Sequence, residues 1–171
     1  PGGKAFINFT TKCRVCTAGQ YQESNTTTNA SCTSCIGSYI LDKGQNATAH
    51  DSFFDCTNCT AGKEFHSTTT ECTICKAGQY QDSNTKATAS CTPCIGTYIT
   101  DDGLTATKHN TQTNCMPCPA GKEFVNIVTE CSVCAIGQYQ DSNSKSSASC
   151  TSCNGTYILD QGTNESEHDS I

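Results

Sequence analysis

Cys75-Lys-Ala-Gly-Gln-Tyr80-Gln-Asp-Ser-Asn-Thr-Lys-Ala-Thr-Ala-Ser-Cys91-Thr-Pro-Cys94 is the stretch whose reading decides the fold. It opens on the second cysteine of a Cys-x-x-Cys pair. It turns at a glycine, reaches a tyrosine, runs through polar residues and closes on the next pair. The same opening, Cys-x-x-Gly-Gln-Tyr-Gln-[Asp/Glu]-Ser-Asn, recurs at Cys16 and Cys134. Working outward, all 16 cysteines fall in such pairs: 13/16, 32/35, 56/59, 72/75, 91/94, 115/118, 131/134 and 150/153. The gaps between pairs run 15, 20, 12, 15, 20, 12 and 15 residues, a period of 59. Gly-[Ser/Thr]-Tyr-Ile begins at Gly37, Gly96 and Gly155, and Ala-Gly-Lys-Glu-Phe begins at Ala61 and Ala120. One period thus holds three unequal modules, the pattern of a repeat architecture.

Composition says what holds such a chain together. Leu, Ile, Val and Phe make up 23 of the 171 residues, and Trp is absent. So little apolar surface does not offset the conformational entropy of folding. Cysteine supplies the constraint instead, at a density that marks a disulfide scaffold in an oxidising compartment. A net charge of -6 without a Lys/Arg cluster gives no footprint for nucleic acid. No apolar run is long enough to cross a bilayer, so no membrane contact by this segment is expected. An extracellular location, secreted or at the cell surface, follows from the cysteines.

Zinc is the rival use of paired Cys-x-x-Cys. A four-cysteine zinc site consumes two pairs, and each period contains three, so successive periods would put equivalent cysteines to different uses. A ladder keeps every period equivalent. It joins Cys16–Cys32, Cys35–Cys56, Cys59–Cys72, Cys75–Cys91, Cys94–Cys115, Cys118–Cys131 and Cys134–Cys150. Cys13 and Cys153 then pair outside the segment. A crossed pattern of first-to-first and second-to-second bonds stays open at this level.

The expected fold is small and disulfide-rich, of short β-hairpins and loops with no helix of useful length. The modules stack in tandem into an elongated rod, since each touches only its neighbours. Gln-Tyr-Gln and [Ser/Thr]-Tyr-Ile alternate as short strands do. Asp42-Lys-Gly44, Asp101-Asp-Gly103 and Asp160-Gln-Gly162 read as turns. The glycine after each cysteine is expected to turn the chain so that an aromatic ring lies on a disulfide. Residues 1–12 read as the end of a preceding repeat, 13–71 as repeat 1, 72–130 as repeat 2 and 131–171 as a truncated repeat 3. The chain is read as a window on a longer array.

Sites of chemistry are few. Asn-x-Ser/Thr sequons stand at Asn8, Asn25, Asn29, Asn46, Asn58, Asn154 and Asn164, and the middle period has none. They imply covalent N-glycans, and the many Ser and Thr residues imply O-linked sugars; no cofactor and no metal are expected. His50, His109 and His168 recur at one repeat position. Nothing in sequence converges on them as a nucleophile or third ligand would, so they read as solvated loop histidines. His66 stands alone. Asp101-Asp102 lacks the ligand spacing of a calcium loop, and Glu64 and Glu123 are placed on the module surface. No catalytic residue emerges and the chain reads as a non-enzyme.

The unit from Cys75-Lys-Ala-Gly-Gln-Tyr80 to Cys91-Thr-Pro-Cys94 resembles the ephrin-receptor-like cysteine-rich repeat. It is also similar to the first submodule of tumour-necrosis-factor-receptor cysteine-rich domains. The resemblance covers essentially the whole chain. It implies extended, extracellular, non-catalytic rods, with a loop-closing bond between the equivalents of Cys75 and Cys91. The second, crossed submodule of those receptors has no counterpart here. Arrays of this kind also look like surface or fibre proteins of unicellular eukaryotes. Two function classes follow: a structural glycoprotein of an extracellular fibre, filament or coat, or the stalk or ligand-binding ectodomain of a receptor or adhesion protein. The partners expected are copies of the chain end to end, or flanking repeats of one longer chain.

Overall fold

A computed structural model describes residues 1–7, 12–26, 28–84 and 88–170. It divides into two compact units, Pro1–Thr73 with Ser83–Ser90, and Ile74–Asp82 with Cys91–Ile171. Among the described residues there is no α-helix. Five three-residue 3-10 turns, Ala47–Ala49, Phe53–Asp55, Ala106–Lys108, Gln112–Asn114 and Glu165–Glu167, are the only helical elements there.

The strands are two residues long and pair as antiparallel hairpins. In the first unit Lys4–Ala5 pairs with Arg14–Val15, Gln20–Tyr21 with Thr33–Ser34, and Ser38–Tyr39 with Thr57–Asn58. In the second, Gln79–Tyr80 pairs with Thr92–Pro93, Lys122–Glu123 with Ser132–Val133, and Gln138–Tyr139 with Thr151–Ser152. Tyr98 and Met116 make a single bridge where Tyr39 and Thr57 form part of a hairpin. Pairs this short are not stable alone in water.

Cross-links make them persist. The second cysteine of each pair is bonded to the first of the next, from Cys16–Cys32 to Cys134–Cys150. The Cα atoms of each bond lie 5.6 to 5.8 Å apart. Loops of this size each stabilise by about 3 kcal/mol in the chain-entropy picture.

The cores are built on those bonds. Cys35, Cys56 and Ile40 are buried together with Tyr21 packed against them. Cys59, Cys72 and Ala89 form the next cluster, under Tyr39 and Phe65. The second unit repeats both: Cys94, Ile99 and Cys115 with Tyr80 and Ile127, then Cys118, Cys131 and Ala148 with Tyr98 and Phe124. The rings therefore do lie on disulfides: Phe65 and Phe124 on the bond of their own module, Tyr21, Tyr39, Tyr80 and Tyr98 on the bond of the following one. Tyr21 belongs to the loop closed by Cys16–Cys32 and covers Cys35–Cys56. Within each unit a tyrosine of one module is thereby packed on the bond of the next, which is how a chain with so few apolar residues still forms packed cores.

Candidate functional site

The chemistry-bearing groups converge at the loop that follows each Gly-x-Tyr-Ile. In the first unit it begins at Asp42. One carboxylate oxygen of Asp42 accepts from the backbone N–H of Gly44 (2.9 Å), Gln45 (2.9 Å) and Asn46 (3.2 Å). An aspartate that ties its own backbone this way forces a tight turn. Gly44 sits at φ +84°, and a Cβ there would meet the Cys16 carbonyl oxygen at 3.0 Å. Asn46 then caps the turn Ala47–Ala49, its side chain accepting from the Thr48 N–H. The turn delivers His50.

His50 is fully buried, with 0% of its surface exposed. Its Nδ1 lies 2.7 Å from the Gln20 carbonyl and its Nε2 lies 2.9 Å from the Asp42 carboxylate. Its own carbonyl accepts from the Gln22 N–H at 2.8 Å. Gln20–Tyr21 is a strand of a two-stranded hairpin, so one edge of it has no strand partner. The histidine takes up that edge, donating to one backbone group and accepting from the other.

The arrangement recurs. His109 reaches the Gln79 carbonyl (2.7 Å) and Asp101 (3.0 Å), and His168 reaches the Gln138 carbonyl (2.7 Å) and Asp160 (3.1 Å). Both rings are 0% exposed. The reading of these residues as solvated loop histidines is therefore overturned. Burial at one repeat position is compensated each time by the same two acceptors. The signal was present as an Asp-x-Gly turn eight residues before each histidine, but the other acceptor lies 30 residues back.

The electrostatics follow from the hydrogen bonds. A carbonyl only accepts, so Nδ1 carries a hydrogen. A single further proton lies between Nε2 and the carboxylate. The ring bond and the turn amides pull the Asp42 carboxyl down from 3.8 to about 2, with His50 the largest cause. Asp101 is lowered in the same way, again mainly by His109. Asp160 is held below the ordinary carboxylate range mainly by the Thr163 hydroxyl, then by the Asn164 amide, with His168 contributing less. With both nitrogens committed and the ring enclosed, this site is built as a tie between loop and hairpin.

The other candidates are placed as follows. His66 is exposed, 2.6 Å from the Thr73 hydroxyl and 3.5 Å from Glu64. Glu64 and Glu123 lie half-buried in short strands. Asp101 belongs to the histidine tie, while Asp102 beside it is exposed. Among the described residues no group of three or more His, Cys, Asp or Glu side chains is gathered as a metal site would need. Cys13 is an exposed thiol and Cys153 a half-buried one.

Asn25, Asn29, Asn46, Asn58, Asn154 and Asn164 are exposed, and Asn8 lies outside the described residues. Asn46 and Asn164 share one repeat position. Each side-chain oxygen accepts from both the N–H and the hydroxyl of the Thr or Ser two residues on. A further recurring tie escaped the sequence reading, which took Asn25 only as a sequon. Asn25, Asn84 and Asn143 each accept a backbone N–H from 23 residues upstream, at Gly2 (2.7 Å), Ala61 (3.2 Å) and Ala120 (3.1 Å). They fasten the hairpin of one module to the turn of the module before it. The Ser-Asn that ends the Gln-Tyr-Gln motif was the available signal.

No family model matches the chain, and no curated protein matches it either. Its seven disulfides and paired antiparallel hairpins are those of a cysteine-rich repeat module. Disulfides at this density belong to an oxidising, extracellular setting. Among the described residues no helix is long and apolar enough to cross a membrane.

Proposed function

We propose that this chain is a stretch of an extracellular structural glycoprotein, part of a fibre, filament or cell coat, and that it performs no catalysis. One observation carries the reading. The same junction, a tyrosine laid on the cluster that the next module's disulfide forms with an alanine of the module beyond, is built once in each unit, by Tyr39 and by Tyr98. A contact that serves at every step suits an indefinite rod, in which a segment needs nothing beyond its like neighbours. The partners are then copies of the chain end to end, or flanking repeats of one longer chain. N-glycans on the exposed sequons, with O-linked sugars on Ser and Thr, coat it unevenly, and no cofactor or metal is required.

Electron microscopy of native, unreduced material tests this. Long fibres of uniform width are expected, with an axial repeat matching one or three 59-residue periods. Isolated short rods, or rods hanging from a membrane, would point instead to the stalk or ectodomain of a receptor or adhesion protein. That second reading draws support from one feature, the exposed aromatic pair Phe53 and Phe54.

A further inference from the structure

Ser52-Phe53-Phe54-Asp55 stands where the next repeat has Thr111-Gln112-Thr113-Asn114. The backbone device is the same in both. Each forms a three-residue 3-10 turn closed by a capping box, Ser52 with Asp55 and Thr111 with Asn114. The outward side chains differ. Phe54 is 90% exposed and Phe53 49% exposed. The Phe53 ring meets Tyr21 edge-on at 5.8 Å and Phe54 at 6.1 Å. Folding gives no reason for two phenylalanines there, because Gln and Thr serve the same turn in the next copy. A chain this poor in apolar residues nonetheless holds two of its six phenylalanines in water.

Carboxylates surround the rings. Glu23 is exposed and accepts the Phe53 N–H at 2.8 Å. Asp51 is exposed, and half-buried Asp55 accepts the Ser52 N–H at 2.9 Å. Among the described residues none of the three is in an ion pair. The patch is aromatic, fixed by its turn and negatively charged.

We propose that Phe53, Phe54 and Tyr21, rimmed by Glu23, Asp51 and Asp55, form a docking surface for a cationic segment of a second protein. The segment presents Lys or Arg beside an aliphatic or aromatic side chain. Ring faces attract ammonium and guanidinium groups, and the rim attracts the same charge at longer range. The apolar neighbour covers ring surface that now faces water. A sugar is a poorer fit, because hydroxyls need donors as well as acceptors and ionised carboxylates only accept. The surface does not depend on the fibre reading: a filament or a stalk could equally present it.

The test uses the intact, oxidised chain and a fluorescein-labelled decapeptide of alternating Arg and Leu. Fluorescence polarisation reads its binding. The variant Phe53→Gln/Phe54→Thr carries the next repeat's own residues, so its turn is preserved and its net charge is unchanged. It should bind the peptide at least about ten-fold more weakly, the loss expected for removing aromatic anchors. Asp55→Asn, also the next repeat's residue, should weaken binding less and flatten its salt dependence. Grafting Gln112→Phe/Thr113→Phe together with Asn110→Asp/Asn114→Asp, which restores the rim, should raise the stoichiometry from one peptide to two. Equal affinity for the wild type and the double variant would overturn the proposal. So would binding of a neutral oligosaccharide such as chitotetraose with none of the peptide, or a Phe54-dependent dimer of the chain in sedimentation that excludes the peptide.

Discussion

Replacing His109 with alanine should loosen one module of the second unit and leave its neighbours intact. The ring is fully buried and donates from Nδ1 to the Gln79 carbonyl at 2.7 Å. Removing it takes away that bond and leaves the carbonyl at a hairpin edge without its partner. A lost hydrogen bond together with an unsatisfied acceptor costs about 2 to 3 kcal/mol. The Cys94–Cys115 and Cys75–Cys91 bonds still hold the chain, so the loss appears as local opening. Amide hydrogen exchange is the assay. The reporter is the Gln81 N–H, bonded to the His109 carbonyl at 2.8 Å. Its exchange should quicken by roughly 30- to 160-fold, the rate equivalent of that energy. The Cys134 N–H, bonded to the Gly121 carbonyl at 2.9 Å, is the control and should not change. Unaltered protection at Gln81 would mean that the histidine fills space and ties nothing. Equal loosening at both amides would mean that the modules do not open separately.

Acid should release the same ties. The Asp42 carboxyl titrates at about 2 in the folded chain, below its ordinary 3.8. Its contribution is therefore complete above about pH 4 and lost as the pH falls towards 2, with Asp101 moving in the same direction; exchange at Gln22 and Gln81 should quicken across that window. Gly121→Ala and Gly137→Ala separate crowding from backbone strain. Both sit at positive φ, but a Cβ at Gly121 would fall against the Glu165 carbonyl oxygen, whereas nothing lies within 4 Å of one at Gly137. Thermal unfolding should show a loss of about 1 kcal/mol for Gly137→Ala and distinctly more for Gly121→Ala. Enzymatic removal of N-glycans from native material should lower its mass, with the products mapping to exposed sequons such as Asn46 and Asn164 and none to residues 72–130.

Much of the fold could be read from spacing because each module is a local event. A hairpin follows from Gly-x-Tyr between two cysteines, and the modules repeat it with little change. Equivalence between periods leads to the cysteine pairs that the structure holds. The histidine tie was hidden for the opposite reason. His50 draws its meaning from Asp42 eight residues before it and from a carbonyl 30 residues back, and main-chain carbonyls leave no mark in sequence. Phe53 and Phe54 were hidden as well. Beside a cysteine, two phenylalanines look like core, and only the shared capping turn with Gln112 and Thr113 directs them outward.

The ladder of disulfides underlies every packed cluster, and a peptide map of native material digested without reductant tests it most directly. The predicted result is linked peptides joining Cys16 to Cys32, Cys35 to Cys56, Cys59 to Cys72 and the same three steps onward to Cys134–Cys150. Crossed linkages, first cysteine to first and second to second, would contradict it, and with it the placement of Tyr21, Tyr39, Tyr80 and Tyr98 on the disulfide of the following module.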